Sequence, residues 1–489
     1  MPGIASVLLM AATSAAAAQE STALTAADLA GAWAGTISHA GTTTAFALEL
    51  EPDAEGKLLL RATLPAMHLA RVPFSKAAVE ITGNEAKTGP FAFRYDRAAG
   101  TLSGTMPASL LPVYEAPFVL RRVDEVAVPP RPEIQAPLAQ PAWTFDAGSP
   151  LWPGATFADG SVYAGAEDGR LHALDARTGE PRWSFATGGP LRSRATVHAG
   201  VVYLQSDDGF VYALGAADGA VRWRTRVAEK PVERLPFDNP KSRYDRYASG
   251  VTLSGTRLFL GTNEGKLVAL EAATGAKAWE FAAGDAVLAA PAVEAGRVYF
   301  GSFDKHVYAL EAADGRLVWK RDTRMPVVST PAVDRGVVVI GSRSYDLLGL
   351  DASTGEPRWT RYLWFSWIES SPTLRDGVAY VGSSDAAIVL AVDTQTGRDV
   401  WTSDVWGWAW DQPAVTADRV YIGTSGQVGY PVTHRGGALA LDRKTGRPAW
   451  QFLGPVPPSG AYGFTGSPDV GNGLAFFTAL DGKVYAFSQ

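Results

Sequence analysis

The 489-residue sequence is 46% hydrophobic and 19% charged, an ordinary globular balance in a chain long enough to hold more than one core. A net charge of -6 without clustered Lys and Arg excludes a phosphate-backbone footprint, so nucleic acid is not an expected partner. The lack of any cysteine excludes a Cys-x-x-Cys-His haem attachment, a thiolate metal site and an acylated cysteine, and leaves an exported location open.

Residues 1–18 run from Ile4 through an apolar stretch into Ala16-Ala17-Ala18, ahead of Gln19. That pattern predicts a cleavable export signal, although no Lys or Arg precedes the apolar run. The run is too short to span a bilayer, and no other segment reads as transmembrane. The expected location is therefore periplasmic or secreted.

Residues 24–125 show short alternating runs: Trp33 to Ile37, Ala45 to Leu50, Leu58 to Ala62, Ala78 to Ile81, Phe91 to Tyr95 and Phe118 to Leu120. Gly41, Pro52-Asp53, Gly83-Asn84 and Ala99-Gly100 separate them, which predicts a small all-β barrel or sandwich. The proline-rich stretch 126–141 predicts an extended, stiff spacer between this module and the rest.

From residue 142 to 489 one phrase recurs: an acidic residue, two spacers, Thr-Gly or Asp-Gly, three residues, and a tryptophan. It is readable from Asp175 to Trp183, Gly215 to Trp223, Glu271 to Trp279, Glu311 to Trp319, Asp351 to Trp359, Asp393 to Trp401 and Asp442 to Trp450. Counting Trp143, the steps between tryptophans are 40, 40, 56, 40, 40, 42 and 49 residues, the period of a four-stranded propeller blade. Trp143 opens an orphan outer strand. The segments at Ser467, Leu474 and Lys483 supply three inner strands and no tryptophan. Joined, these fragments predict an eight-bladed ring with no open sheet edge. Each periodic tryptophan reads as a wedge between blades, its indole N–H finding an acceptor nearby.

The phrase Ala-Leu-Asp-Ala-x-Thr-Gly-x-x-x-Trp, preceded by Ser-Pro-Ala-Val and Val-Tyr-Gly-Ser, resembles the pyrroloquinoline quinone (PQQ) repeat family over residues 141–489. That resemblance implies an eight-bladed propeller and one of two roles. One is a quinoprotein dehydrogenase acting on alcohols or sugars. The other is a non-catalytic scaffold such as the outer-membrane assembly lipoprotein BamB. The cysteine-free chain has neither the adjacent-cysteine disulfide of many quinoproteins nor the acylated cysteine of the lipoprotein. Residues 24–125, with Asp28-Leu-Ala-Gly-Ala-Trp-Ala-Gly-Thr, resemble the small lipocalin-like β domain ahead of some secreted hydrolases.

The long insertions run from Glu229 to Arg246, Thr360 to Ile368, Thr402 to Ala409, Ser425 to Arg435 and Gln451 to Phe464. All fall in connections that emerge on one face of the ring, and elaborated loops on a rigid scaffold are where binding is usually built. Trp364, Trp367, Trp406, Trp408 and Trp410 sit there outside the periodic set, with Tyr362 and Phe365, and predict an exposed aromatic interface or platform.

Aligning blades on the proline of the innermost strand places Glu369 and Asp411 near the channel mouth in adjacent blades, with Tyr247 and Arg192 in the second and third blades, and Arg343 replaces a small residue ahead of a turn in the fifth. For a quinoprotein, Glu369 and Asp411 are the candidate catalytic carboxylates and Ca²⁺ ligands, and Arg343 the candidate contact to the quinone acids. The six histidines show no metal spacing, and no hydrolase or phosphate-loop motif occurs. The sequence thus favours an exported scaffold for a protein or cell-envelope partner. A PQQ- and Ca²⁺-dependent dehydrogenase is the alternative.

Overall fold

A computed structural model of the protein describes residues 24–489 except 74–76, 108–113, 129, 132, 238, 240, 431 and 433, and omits the side chain of residue 243. The expected export segment, residues 1–18, lies outside the described residues.

The N-terminal module is one antiparallel sheet of nine strands curled into a half-barrel, neither a closed barrel nor a two-sheet sandwich. Its first strand, Gly31–His39, lies in the middle beside its last, Ala116–Val123. Trp33, Ile37, Phe46, Leu48, Phe91 and Phe118 share one buried face, so curling lets a single sheet enclose its own core. The short helix Ala26–Leu29, capped by Thr25, plugs that core with Leu29 and takes the Trp33 indole N–H on the Leu29 carbonyl at 2.8 Å. Three further strands, Leu69–Pro73, Glu85–Thr88 and Thr101–Met106, escaped the sequence pattern. The first two carry charged or proline residues among few apolar ones, as strands at or near an edge do.

Eight blades follow. One copy shows the plan: Ala292–Glu294, Arg297–Gly301, His306–Glu311 and Leu317–Asp322, innermost to outermost. The two central strands are buried almost throughout, because neighbouring blades cover both faces and demand near-continuous apolar runs. The ring closes as the repeat predicts. Trp143–Asp146 pairs with Lys483–Ser488, putting Trp143 opposite Ala486 and Asp146 opposite Lys483.

The repeated phrase is an inter-blade lock. Trp319 Nε1 donates to the Ala352 carbonyl of the next blade at 3.0 Å, and Gly355 in that blade's turn has φ +74. A Cβ on Gly355 would meet the Trp319 ring at 2.6 Å, so the position requires glycine both for its backbone and for its neighbour. Trp143, Trp183, Trp223, Trp279, Trp359 and Trp401 each make the same donation into the following blade, at 2.9 to 3.1 Å. Trp450 is different. The blade after it is the closing one, where the two ends of the ring meet and no connecting turn exists, and its indole N–H has no partner among the described residues.

An inner set of hydroxyls repeats the locking nearer the axis. Ser249, Ser329 and Ser370 donate to the Ala289, Ser370 and Asp411 carbonyls of the following blades at 2.7 to 3.1 Å.

The proline-rich stretch is not a free spacer. Gln451 N donates to the Pro137 carbonyl at 2.9 Å, Ala139 N to the Gln451 carbonyl at 2.8 Å, and Ile134 packs on a core of the ring. Nor are the two domains separate. Tyr345 and Tyr362 of the propeller belong to the same buried cluster as Trp33 and Phe46. At that junction Tyr114 donates to Asp346 Oδ2 at 2.5 Å, and the His39 ring lies 4.0 Å from Tyr114 and 4.7 Å from Tyr362. Burial holds the Asp346 carboxyl above its ordinary range and the His39 imidazole below its own.

Candidate functional site

The insertion from Glu229 to Arg246 is fixed by one buried arginine. Arg234 grips both oxygens of Asp207 at 2.7 and 2.8 Å and donates to the Asp245 carbonyl at 2.7 Å. Beside it Arg192, with no exposed side-chain surface, donates to Glu167 at 2.5 Å. These pairs hold the end of the loop, Arg246 and Tyr247, over the channel.

There the predicted residues meet. Glu369 accepts from Arg343 Nε at 2.6 Å on one oxygen and from the Tyr247 hydroxyl on the other. Arg246 Nη2 donates to the Tyr247 oxygen at 2.7 Å and lies 3.7 Å from Glu369, while its Nη1 lies 3.6 Å from Asp411. The Arg246 guanidinium sits 4.2 Å from the Tyr247 ring centroid and 4.5 Å from that of Trp410, and Trp410 stacks on Trp408 at 4.4 Å. The result is a filled stack of tyrosine, guanidinium and two indoles. Burial pushes the Tyr247 hydroxyl far up, with Glu369 adding to the shift and the two arginines opposing it. Burial likewise pushes the Asp411 carboxyl up to about 6, against the pull of Arg246.

Below this stack a cavity of about 430 Å³ follows the axis, lined by inner strands and by Arg192, Arg194, Arg246, Glu369 and Asp411. Several of its charged groups have atoms without a hydrogen-bond partner among the described residues: Arg246 Nε, Asp411 Oδ2, and Nε and Nη1 of Arg192.

This arrangement does not fit the group expected of a quinoprotein. Ca²⁺ takes six to eight oxygens, mostly carboxylate and carbonyl. Both oxygens of Glu369 are already engaged, Asp411 faces a guanidinium, and among the described residues no three His, Cys, Asp or Glu side chains group as a metal site. A flat quinone at the mouth would have to displace Arg246 from between its two rings.

The aromatic residues depart from expectation. Trp406, Trp408 and Trp410 are buried, not an exposed platform. Trp406 lies between the guanidiniums of Arg131 and Arg435, each 5.2 Å from its ring, so the proline-rich stretch itself covers it. Trp364 and Trp367 are half-buried against the half-barrel's core, and Trp364 Nε1 donates to Thr42 Oγ1 at 3.2 Å. Their loop docks the chain's own first domain.

The structure brings Glu369, Asp411, Tyr247 and Arg343 together and sets Arg192 on the cavity below; sequence reasoning missed Arg246, which joins the first four. Arg246 ends an insertion where the repeat offers no aligned position. No signal in the repeat marks it, because the proline is replaced in each of the first three blades, by Ala155, Ala195 and Val251.

An eight-bladed ring locked by a tryptophan in one blade and a glycine turn in the next defines a PQQ-repeat propeller. The chain belongs to the family described as outer membrane protein assembly factor BamB, whose model matches residues 137–247, 239–363, 304–452 and 362–489. Similar solved structures include BamB from Moraxella catarrhalis, at 20% identity over 72% of this chain and 98% of that one, with a TM-score of 0.54. The computationally designed Ika8 protein is similar at 15% identity over 70% and 98% of the two chains, TM-score 0.57. A quinohemoprotein alcohol dehydrogenase from Pseudomonas putida is similar at 13% identity over 73% and 78%, TM-score 0.54. At these identities the likeness is one of fold. No curated protein matches the chain.

Proposed function

We propose that this protein is an exported, non-catalytic binding scaffold that engages a protein or another component of the cell envelope. The observation that carries the reading is Arg246. Its guanidinium fills the slot between Tyr247 and Trp410 and faces both candidate carboxylates, so the mouth is closed by the chain itself. The printed description of the family, an outer membrane protein assembly factor, points the same way. Among the described residues no helix is long and apolar enough to cross a membrane. Partner contact is best served by Val428 and Val456, exposed on the connections within and after the seventh blade, with Leu453 exposed at the end of that blade's outer strand.

The competing dehydrogenase reading makes Glu369 and Asp411 Ca²⁺ ligands and Arg343 a quinone contact, and it requires Arg246 to leave its stack. Adding PQQ and Ca²⁺ to the purified protein and following dye reduction with alcohols and sugars decides between them. The scaffold reading expects no quinone spectral change and no turnover; turnover that vanishes in Glu369→Gln would replace it with the dehydrogenase. Cross-linking in envelope fractions, compared with Val456→Glu, then tests these contacts.

A further inference from the structure

The channel below the closed mouth has chemistry on its walls that nothing in the ring uses. Four nitrogen atoms of lining residues are buried and have no hydrogen-bond partner among the described residues: Nε and Nη1 of Arg192, Nε of Arg246 and the indole Nε1 of Trp152. The residues that carry them are at most 6% exposed and come from the segments that lead into the first three blades. Each is fixed from behind. Arg192 Nη2 donates to Glu167 at 2.5 Å, and the Arg192 guanidinium lies 4.9 Å from the Trp152 ring. Trp152 packs in turn on Phe237, 5.8 Å between ring centroids, and Arg246 is held between Tyr247 and Trp410. A buried donor without an acceptor costs stability, so several of them fixed around one space mark it as fitted to an acceptor.

The remaining walls define what that acceptor is attached to. Val197, Val251, Leu288, Ala290 and Val328 line the same cavity. Its volume of about 430 Å³ lies within the range of small-molecule sites, which are mostly apolar with a few placed polar groups. Guanidinium donors hold an ionised acceptor about twice as strongly as a neutral one, which favours a carboxylate over an amide or a sugar hydroxyl. Arg192 and Arg246 already face Glu167 and Asp411, so a doubly charged phosphate would crowd existing negative charge, and a single charge suits the space better. Asp411 Oδ2 is the one unpartnered carboxylate oxygen of the lining, and it belongs to the seventh blade. Arg194, on the same lining, keeps 32% of its side chain exposed, so the space reaches solvent although the mouth is closed.

We propose that the channel binds a small monocarboxylic acid with an apolar body, its carboxylate on Arg192 and Trp152 and its body against Leu288 and Val328. Arg343, the expected quinone contact, does not line this space, and Arg246 keeps its place in the stack. The assignment therefore stands apart from both the scaffold and the dehydrogenase readings.

Calorimetry on the full chain with hexanoate and benzoate, their neutral amides, and inorganic phosphate tests it. Saturable binding of at least one of the two acids is expected, with its amide and phosphate each at least about tenfold weaker. Trp152→Phe keeps a ring and deletes only an N–H that has no partner to lose. It should leave the thermal midpoint unchanged and weaken the acid at least about fivefold. Arg192→Met, checked for fold by circular dichroism, should abolish binding; should it not fold, Trp152→Phe decides. Equal binding of acid and amide, binding of phosphate alone, binding of neither acid, or an affinity unchanged in Trp152→Phe would overturn the proposal and leave water as the partner of these donors.

Discussion

The two ends of the propeller are built on opposite plans. At the rim where the repeat turns lie, seven tryptophans each find a carbonyl in the next blade and a glycine under the ring, and the pattern barely varies. At the mouth the loops differ in length, charges are buried in pairs, and Arg192, Arg246, Arg343, Glu167 and Asp411 all retain atoms with no partner among the described residues. Buried polar groups without partners cost stability. The rim therefore holds the ring together, and its stability offsets the cost of the mouth.

The contrast can be broken most forcefully at the rim. Trp319→Ala removes a buried ring and a lock, and should cost about 3–5 kcal/mol, read as a large fall in the denaturant midpoint. Gly355→Ala puts a side chain into a left-handed position against the Trp319 ring, and a loss of about 2–4 kcal/mol is expected in the same assay. A rim that tolerated either change would remove the distinction.

At the mouth the sign should reverse. The Asp411 carboxyl is raised to about 6 in the folded chain, above its value when unfolded, so the folded state holds the extra proton between about pH 4 and 6. Stability then falls as pH rises through that window. Asp411→Asn should flatten this part of the profile and stabilise the protein near neutrality by on the order of 1–2 kcal/mol, measured by unfolding across pH. Equal profiles for the two proteins would show that Asp411 is not strained.

The smallest test lies within the rim. Trp319→Phe removes one of three hydrogen bonds accepted by the Ala352 carbonyl, which keeps those from Arg297 and Tyr299, and should cost about 1 kcal/mol more than Trp450→Phe, whose indole has no partner to lose among the described residues. Thermal midpoints of the pair measure the difference.

The rim was legible in the sequence because each turn is local: Asp351, Thr354, Gly355 and Trp359 specify one blade edge within a few residues, seven times over. The closing strand followed from the same count. Glu369 and Asp411 were legible because a proline two or three residues downstream fixes their register. Arg246 was not, since it meets Glu369 and Asp411 only after a separate insertion folds over the ring. Burial of Trp406, Trp408 and Trp410 was hidden for a related reason. What covers Trp406 is Arg131, from a stretch that reads as a spacer, and no local pattern reveals a partner some 270 residues away in the chain.

Because Trp143–Asp146 waits for Lys483–Ser488, the annulus stays ajar throughout nearly all of its translation. The half-barrel, made first, has every strand it needs long before the ring does. During that interval the nascent protein carries an unpaired edge at each side of the gap, which makes the time spent open, more than the finished fold, the period in which a chaperone would matter most.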